Sequence, residues 1–331
     1  MRPDLLDYLV CPGCGRGLDL AAAEQAADGE VLRGELTCRG CAAEYPVRGG
    51  IPRMLKPGHY ALYEKTQENF AFSWKRFANI YEDPRDFLNW VHPKTPEFFK
   101  GKIVLDAGCG TGKHAVFAAR FGAKAVIAFD LSSAVEVAHE HGRPHSNIHV
   151  VQADIYNLPF KDDYDYVYTI GVLQHLPRPE EGFHRLTRLI KKGGWCSIWV
   201  YGFEGTGFVR KVVDPLRKNI TSRIPNSLVY AASFFPALVF FLLAKGIHRP
   251  LAKWKPTRRL AAKLPMSSYF GFMSQFPFYY LYNSVFDQLI APITNYFKRE
   301  EVEGWFEKAD MEEVLITSRN DMSWRGTGRR S

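Results

Sequence analysis

The sequence predicts an α/β protein, a Rossmann-like sheet fronted by a small four-cysteine unit and carrying a mainly helical insertion after its fifth strand. Three observations predict it. Ile103-Val104-Leu105-Asp106 runs straight into Gly108-Cys109-Gly110-Thr111-Gly112, a short apolar strand broken by a glycine loop. Further short apolar runs, ending at Asp130, before Asp154 and at Ile170, alternate with helical patterns, as in a parallel sheet. Ahead of them stand two CxxC pairs, Cys11/Cys14 and Cys38/Cys41.

The glycine loop organises the chain. After Lys113, residues His114 to Phe121 carry apolar side chains at helical spacing, and Gly122 suits a helix end. Strand, glycine loop and helix form the first unit of a nucleotide-binding fold, where glycines let the backbone turn tightly and a ligand lie close. The order is Asp106-x-Gly108-x-Gly110-x-Gly112, not GxGxxG. An acid before the first glycine repels phosphate but suits an ammonium or a sulfonium. Ala125 to Phe129 reads as a second strand ending at Asp130, about twenty residues past the loop, where an acid accepts ribose hydroxyls. His149-Val150-Val151 reads as a third, Tyr164 to Ile170 as a fourth, leading to Gly171-Val172-Leu173-Gln174-His175. Glu180 to Lys192 reads as a helix stopped by Gly193-Gly194, and Trp195 to Tyr201 as a fifth strand. Acids at the carboxyl ends of successive strands lie where open parallel sheets bind ligands.

These residues resemble motif I and its sequel in the class I S-adenosylmethionine-dependent methyltransferases. The resemblance implies a seven-stranded methyltransferase sheet and S-adenosylmethionine as cofactor. It implies contacts from Asp106, Gly108, Cys109, Gly110, Gly112, Asp130, Leu131, Asp154, Ile155 and Ile170, with Asp154 meeting the adenine amino group. A reductase of similar fold is the alternative, on fold-level analogy alone.

A chain of 331 residues, 46% apolar, allows two domains or one enlarged one. Met1-Arg2-Pro3-Asp4 leads into an amphipathic turn, so no signal peptide is expected. Cys109 and Cys196 are isolated, while the other four stand in the CxxC pairs; such usage points to metal binding in a reducing, cytoplasmic setting. Cys11-Pro12-Gly13-Cys14 and Cys38-Arg39-Gly40-Cys41 are knuckles 23 residues apart, and four thiolates favour zinc in a closed structural site. Neither pair opens a helix in a βαβ context, which argues against a redox role. With Leu5 to Val10 before and Tyr45 to Leu55 after, residues 1–56 resemble the zinc-ribbon family that activates RNA and protein methyltransferases as a separate subunit. The resemblance implies a scaffold, here fused in cis; nucleic-acid contact is the other reading.

Lys56-Pro57-Gly58-His59 reads as a joint, and residues 57–100 as a helical lid and linker. The aromatics there (Tyr63, Phe70, Phe72, Trp74, Phe77, Tyr81, Phe87, Trp90, Phe98, Phe99) read as core, and the resemblance makes Gln67 to Trp74 a lid over the cofactor. Residues 101–203 form the cofactor-binding core, 204–298 the insertion, and 299–331 the last helix and strands. Within the insertion, Arg210 to Lys263 holds twelve Lys and Arg against one acid, Asp214, and carries the basic balance of a chain with net charge +8. Between Arg223 and Lys245 lie 21 uncharged residues, long enough to span a bilayer. Pro236, the Pro225-Asn226-Ser227 start and the strands of one domain on either side argue against a span. Burial under the sheet edge or as a substrate lid, and an interfacial hairpin, are the other readings. Leu264 to Phe286, also uncharged, reads either as the wall of an apolar pocket or as packing. Arg299 to Phe306 reads as a helix, and Glu313 to Thr317 and Ser323 to Gly326 as closing strands. Ala309-Asp310-Met311 stands where the resembled family commonly has Gly-Phe, so a different turn is expected.

Methyl transfer is an in-line displacement, dominated by positioning. His175, just past the fourth strand, is the candidate base if the nucleophile arrives protonated, and a hydrogen-bonding role is the alternative. His92, His114 and His145 have weaker positional claims. The expected acceptor is a small-molecule or amphiphilic, lipid-like compound, with peripheral membrane contact through 224–286. An RNA or ribosome-associated acceptor competes, favoured by ribbon and charge. Thr169-Ile170-Gly171-Val172 is not the Asn/Asp-Pro-Pro-Tyr signature of amide or adenine nitrogen methylation. A non-catalytic cofactor-binding partner is the reading of another class.

Overall fold

The computed structural model describes residues 1–55, 64–77, 83–264 and 266–331. The Lys56–His59 joint and the aromatics Tyr63 and Tyr81 lie outside the described residues, as does the side chain of Gln67.

Among the described residues, one mixed sheet runs through the molecule. Its strands are β1 (Leu18–Gln25), β2 (Val31–Cys38), β3 (Glu44–Arg48), β4 (Ile51–Met54), β5 (Ile103–Ala107), β6 (Ala125–Asp130), β7 (Ile148–Ala153), β8 (Tyr164–Ile170), β9 (Ile190–Tyr201), β10 (Met311–Arg319) and β11 (Ser323–Arg330). Their order is β1-β2-β3-β4-β7-β6-β5-β8-β9-β11-β10. The expected seven strands occupy the β7-to-β10 portion, but the sheet has eleven. The cause is edge pairing: β4 lies parallel to β7, with Arg53 opposite Gln152 and Met54 opposite Ala153. An open β7 edge would leave unpaired backbone groups, and the ribbon covers it.

The ribbon also shares its core with the sheet. Leu5, Leu9, Leu36, Tyr45 and Val47 belong to one buried cluster with Val151, Phe160, Tyr164 and Phe183. Leu9 bridges Phe160, Val10 N–H donates to Pro159 O (2.9 Å), and Lys161 N–H donates to Tyr8 O (3.0 Å). On the opposite face Phe87, Phe99, Phe117, Val126, Tyr166 and Tyr168 pack together beneath the helices α2 (Pro84–Trp90) and α3 (Lys113–Arg120). Strands buried on both faces read as continuous apolar runs, which is why β5 to β8 were visible in the sequence.

Two expectations need correction. The helix α5 spans Pro179–Thr187 and does not reach Lys192, because Ile190 already pairs with Tyr164. Trp195 pairs with Tyr166, so the residues between bulge out of β9 around Gly193 at φ +75°. Gly193-Gly194 is a bulge within a strand, not a helix stop. At the other end, Asp310 takes φ +51°, the left-handed turn that glycine usually supplies, between α12 (Arg299–Lys308) and β10.

The insertion is helical, with α6 (Asp214–Asn219), α7 (Asn226–Phe241), α8 (Arg249–Lys253), α9 (Arg258–Lys263), α10 (Ser267–Met273) and α11 (Phe278–Ile290). A wider-turned stretch, Leu242–His248, joins α7 to α8, so Asn226–Lys253 is one helix of 28 residues. It is long and apolar enough to cross a membrane, and 22% of its most apolar stretch is buried. The buried stripe is Val229, Ser233, Ala237, Ala244 and His248; Val229 and Ala237 pack with Tyr282 and Phe286 of α11, and His248 Nε2 lies 3.0 Å from Ser267 Oγ of α10. The expected burial beneath the sheet edge is replaced by packing on α11, and it accounts for one face only. Tyr282 Oη donates to Tyr230 O (2.5 Å), and Phe77, Tyr230, Tyr282 and Phe286 stack around that contact. The second apolar run thus serves largely as packing, through Leu281, Tyr282 and Phe286 of α11.

Candidate cofactor and acceptor site

The loop after β5 is built on three left-handed glycines, Gly108 (φ +76°), Gly110 (φ +52°) and Gly112 (φ +77°). Each also faces a close neighbour. A Cβ on Gly108 would collide with Val172, and one on Gly112 would lie 2.9 Å from Ala138. One on Gly110 would lie 3.1 Å from the Trp74 ring. Trp74 belongs to α1 (Glu64–Arg76), which brings the end of the Gln67–Trp74 segment against the glycine loop.

Asp106 is buried near the end of β5, in register with Ala128 and Tyr168. Asp130 ends β6. Its Oδ2 accepts from Gly110 N–H (3.0 Å), and its Oδ1 from Ser132 N–H (2.8 Å) and Oγ–H (2.7 Å). A carboxylate has about four acceptor sites, so capacity is left for ligand hydroxyls. Beside it Glu68, Phe72, Leu131, Ser132 and Gln152 line an open cleft of about 350 Å³. Asp154 follows β7 and is buried; its Oδ1 accepts from Tyr156 N–H (3.0 Å) and its Oδ2 from Asn157 Nδ2 (2.9 Å). Ile155 turns its side chain into the core towards Gly182. Ile170, half-buried, ends β8, and Cys109 is buried, its thiol pushed well up by burial and by Asp106 and Asp130.

His175 stands in a short turn, Leu173–His175, directly after β8. Its Nδ1 lies 2.8 Å from Ile293 O, which accepts only if Nδ1 carries the proton, leaving Nε2 a free lone pair. The residue is half-buried, and burial of the ring pushes its pKa down to about 4, so it is neutral near pH 7. Phe70 of the lid (5.0 Å between ring centres) and Tyr201 (5.6 Å) pack against it edge-on. Around it lie polar groups that the sequence did not single out. Gln174 is wholly buried with neither amide atom bonded, and the Trp199 indole N–H and Gln288 Oε1 are likewise unbonded. Gln288 Nε2 donates to Tyr201 Oη (2.9 Å). Asp287 lies between α11 and the lid, where Ser73 Oγ donates to Oδ1 (2.5 Å) and Asn283 Nδ2 to Oδ2 (3.1 Å). Its carboxyl end is enclosed although the residue as a whole is half-buried, and burial pushes the pKa up to about 7.

Far along the sheet, the four Sγ atoms of Cys11, Cys14, Cys38 and Cys41 all lie within 4.8 Å of one another. Cys11 and Cys41 are 3.7 Å apart, and Cys14 and Cys38 3.4 Å, against about 3.8 Å for tetrahedral sulfurs 2.3 Å from a zinc ion. Gly13 N–H points at Cys11 Sγ (3.3 Å), and Gly40 and Cys41 N–H at Cys38 Sγ (3.3 and 3.4 Å), the support that thiolate ligands need. Those amides, that of Cys41 first, hold the Cys38 thiol down to about 6. The Ala43 N–H favours the Cys41 thiolate as well, but its thiol neighbours outweigh that and push Cys41 up to about 12. A cation is what lets the cluster ionise together. The donor set fits zinc.

Comparison with known families bears on both units. Residues 105–198 match the methyltransferase domain family, and residues 2–50 match the Trm112p-like proteins. The chain carries a methyltransferase domain behind a Trm112p-like domain. It is 33% identical over 167 residues to the tRNA U34 carboxymethyltransferase of Shewanella putrefaciens, 47% of this chain and 50% of that one. It is 36% identical over 131 residues to the ubiquinone biosynthesis O-methyltransferase of Thiobacillus denitrificans, 38% of this chain and 55% of that one. The chain thus spans about half the length of these relatives. A solved magnesium protoporphyrin IX methyltransferase of Synechocystis aligns with 82% of this chain and 98% of its own at TM-score 0.48 and 13% identity.

The methyltransferase domain contains every expected cofactor residue and His175, while the lid and insertion lie outside the matched stretch. Gln174, Trp199, Asp287 and Gln288 belong to no motif. The only sequence signal for the last two was two polar residues, Asp287-Gln288, interrupting an apolar helix.

Proposed function

We propose that the protein transfers the methyl group of S-adenosylmethionine to an apolar or amphiphilic small molecule, with zinc held by the four cysteines as a structural ion. The observation that carries the acceptor class is the roof over the glycine loop. It presents aromatic side chains of α1, Trp74 against Gly110 and Phe70 against His175, with Phe72 packed on Phe286 of α11 behind them, while Gln174, Trp199 and Gln288 are among the buried side chains with unbonded polar atoms. Sites of mostly apolar lining with few polar groups suit such ligands.

Bound S-adenosylmethionine supplies an electrophilic methyl on a sulfonium. Asp130 would hold the ribose hydroxyls, the Gly108–Gly112 backbone would lie beneath the methionine portion, and Asp106 would offset the positive charge. Trp74 and Phe70 exclude water from above. A neutral His175 with its proton on Nδ1 presents Nε2 to a hydroxyl or amine nucleophile and can take its proton as the new bond forms. Gln174 would orient the acceptor. Calorimetry tests the first step: S-adenosylhomocysteine should bind, and Asp130→Ala should cost about 1–3 kcal/mol of binding. Binding of NAD in its place would overturn the assignment.

An RNA acceptor is the second reading, favoured by the basic insertion and by the similarity to a tRNA U34 carboxymethyltransferase. Against it stands the make-up of the exposed insertion, where aliphatic side chains outnumber the aromatics on which bases stack. A protein that binds cofactor but methylates neither class would be a non-catalytic partner.

A further inference from the structure

A helix that is apolar all round is ordinarily buried in a core or in a bilayer. The helix Asn226–Lys253 is neither within this molecule. Opposite its buried stripe, Leu228 (59% exposed), Phe235 (71%), Val239 (56%) and Leu242 (54%) form a continuous greasy face. Ile220, Ile247 and Trp254 extend it at both ends. The charge around this face has one sign. Lys211, Lys218 and Arg223 precede the helix, Arg249 and Lys253 end it, and Lys255 follows, all exposed. The one acid of the stretch, Asp214, is buried and paired with Arg217.

We propose that this face seats the protein on an anionic lipid surface, from which the site takes its acceptor. The docking stands on exposure and charge; only its link to the acceptor rests on the reading above. Apolar side chains would enter the headgroup boundary while the flanking Lys and Arg meet lipid phosphates. A second copy of the chain is disfavoured as occupant, since it would bring the same ring of positive charge against its own.

The geometry argues for lying on the membrane and against crossing it. The insertion leaves the sheet after β9 and returns through α12 to β10 and β11, strands of the same sheet with β11 paired to β9, so an odd number of crossings is impossible. A return crossing needs a second helix, and among the described residues no other is long and apolar enough. The partner helix α11 has 13 residues, about 20 Å, against a hydrocarbon core of about 30 Å.

The inner side of the same helix touches the lid. Asn226, the first residue of the long helix, donates Nδ2 to Asn69 Oδ1 (2.8 Å), and Asn69 Nδ2 donates to Ile290 O (2.6 Å). Asn69 is on α1, about one and a half turns from the Trp74 that covers Gly110.

The test is flotation with phosphatidylcholine vesicles, with and without phosphatidylglycerol, beside calorimetry with S-adenosylhomocysteine. The wild type should float with the anionic vesicles and partition less to the neutral ones. Phe235→Asp combined with Val239→Asp, both at exposed positions, should abolish flotation and leave the calorimetric Kd unchanged. Lys253→Ala with Lys255→Ala should weaken anionic binding by about tenfold or more. Failure of the wild type to float, with normal calorimetry, overturns the docking. So does a dimer in solution that Phe235→Asp dissolves, which assigns the face to a second copy, or retention on vesicles through an alkaline wash, which makes the helix a span. Flotation without cofactor binding would keep the docking and defeat the methyl-transfer reading.

Discussion

Leu36 and Leu242 carry the same side chain on two additions to one sheet. Leu36, in β2 of the Trm112p-like domain, is fully buried; Leu242, in the long helix of the insertion, is 54% exposed. The ribbon extends the sheet by edge pairing and merges its apolar residues into the common core. The insertion packs one narrow stripe of its long helix onto α11 and leaves the rest outward. The difference teaches that an appended unit can use apolar residues either to complete the protein or to present a surface. Here the two uses sit on either side of the cofactor-binding core in the sequence.

The largest expected effect falls on the ribbon. Cys38→Ser removes one of four thiolates and should cost several kcal/mol, because ligand binding and folding of such sites are coupled. Since ribbon and sheet share a core, the whole chain should melt earlier in one transition, with under one equivalent of zinc per chain by mass spectrometry. A separate early transition, leaving the sheet's melting in place, would break the comparison. Leu36→Ala comes next, at about 2–5 kcal/mol by chemical denaturation, the usual range for a cavity in a closed core.

Asp287 sharpens the comparison between the insertion's inner and outer faces. Its folded pKa, about 7, lies above its unfolded value near 3.8. Its contribution to stability is therefore complete below about pH 4 and lost as pH rises through about 7. Asp287→Asn should raise stability at pH 8, on the order of 1–2 kcal/mol, and flatten the decline between about pH 4 and 7. An unchanged profile would mean that the carboxyl end is open to water. The smallest effect is assigned to Leu242→Ala, within about 0.5 kcal/mol, as for a surface position. A loss as large as that of Leu36→Ala would show that the outer face is covered in solution.

Much of the methyltransferase core was legible in the sequence, because β5 to β8 are short apolar runs closed by glycines or acids. The four-cysteine cluster was legible from spacing. The ribbon's fusion to the sheet was not, since two residues of parallel pairing between β4 and β7 leave no pattern that specifies register. The end of α5 was misread because Gly193-Gly194 looks alike as helix stop and as bulge. The apolar run of the insertion reads the same whether buried or exposed, since composition carries no information on what lies opposite. Gln174 and Gln288 were invisible because polar residues outside a motif acquire meaning only when burial leaves their amides unbonded.

The central claim is that the methyl group goes to an apolar or amphiphilic molecule. Incubating the protein with a cell extract and methyl-labelled S-adenosylmethionine, then partitioning products between an organic phase, an RNA fraction and the aqueous phase, tests it most directly. The account predicts label in the organic phase, abolished by Asp130→Ala. Label in the RNA fraction alone would contradict it.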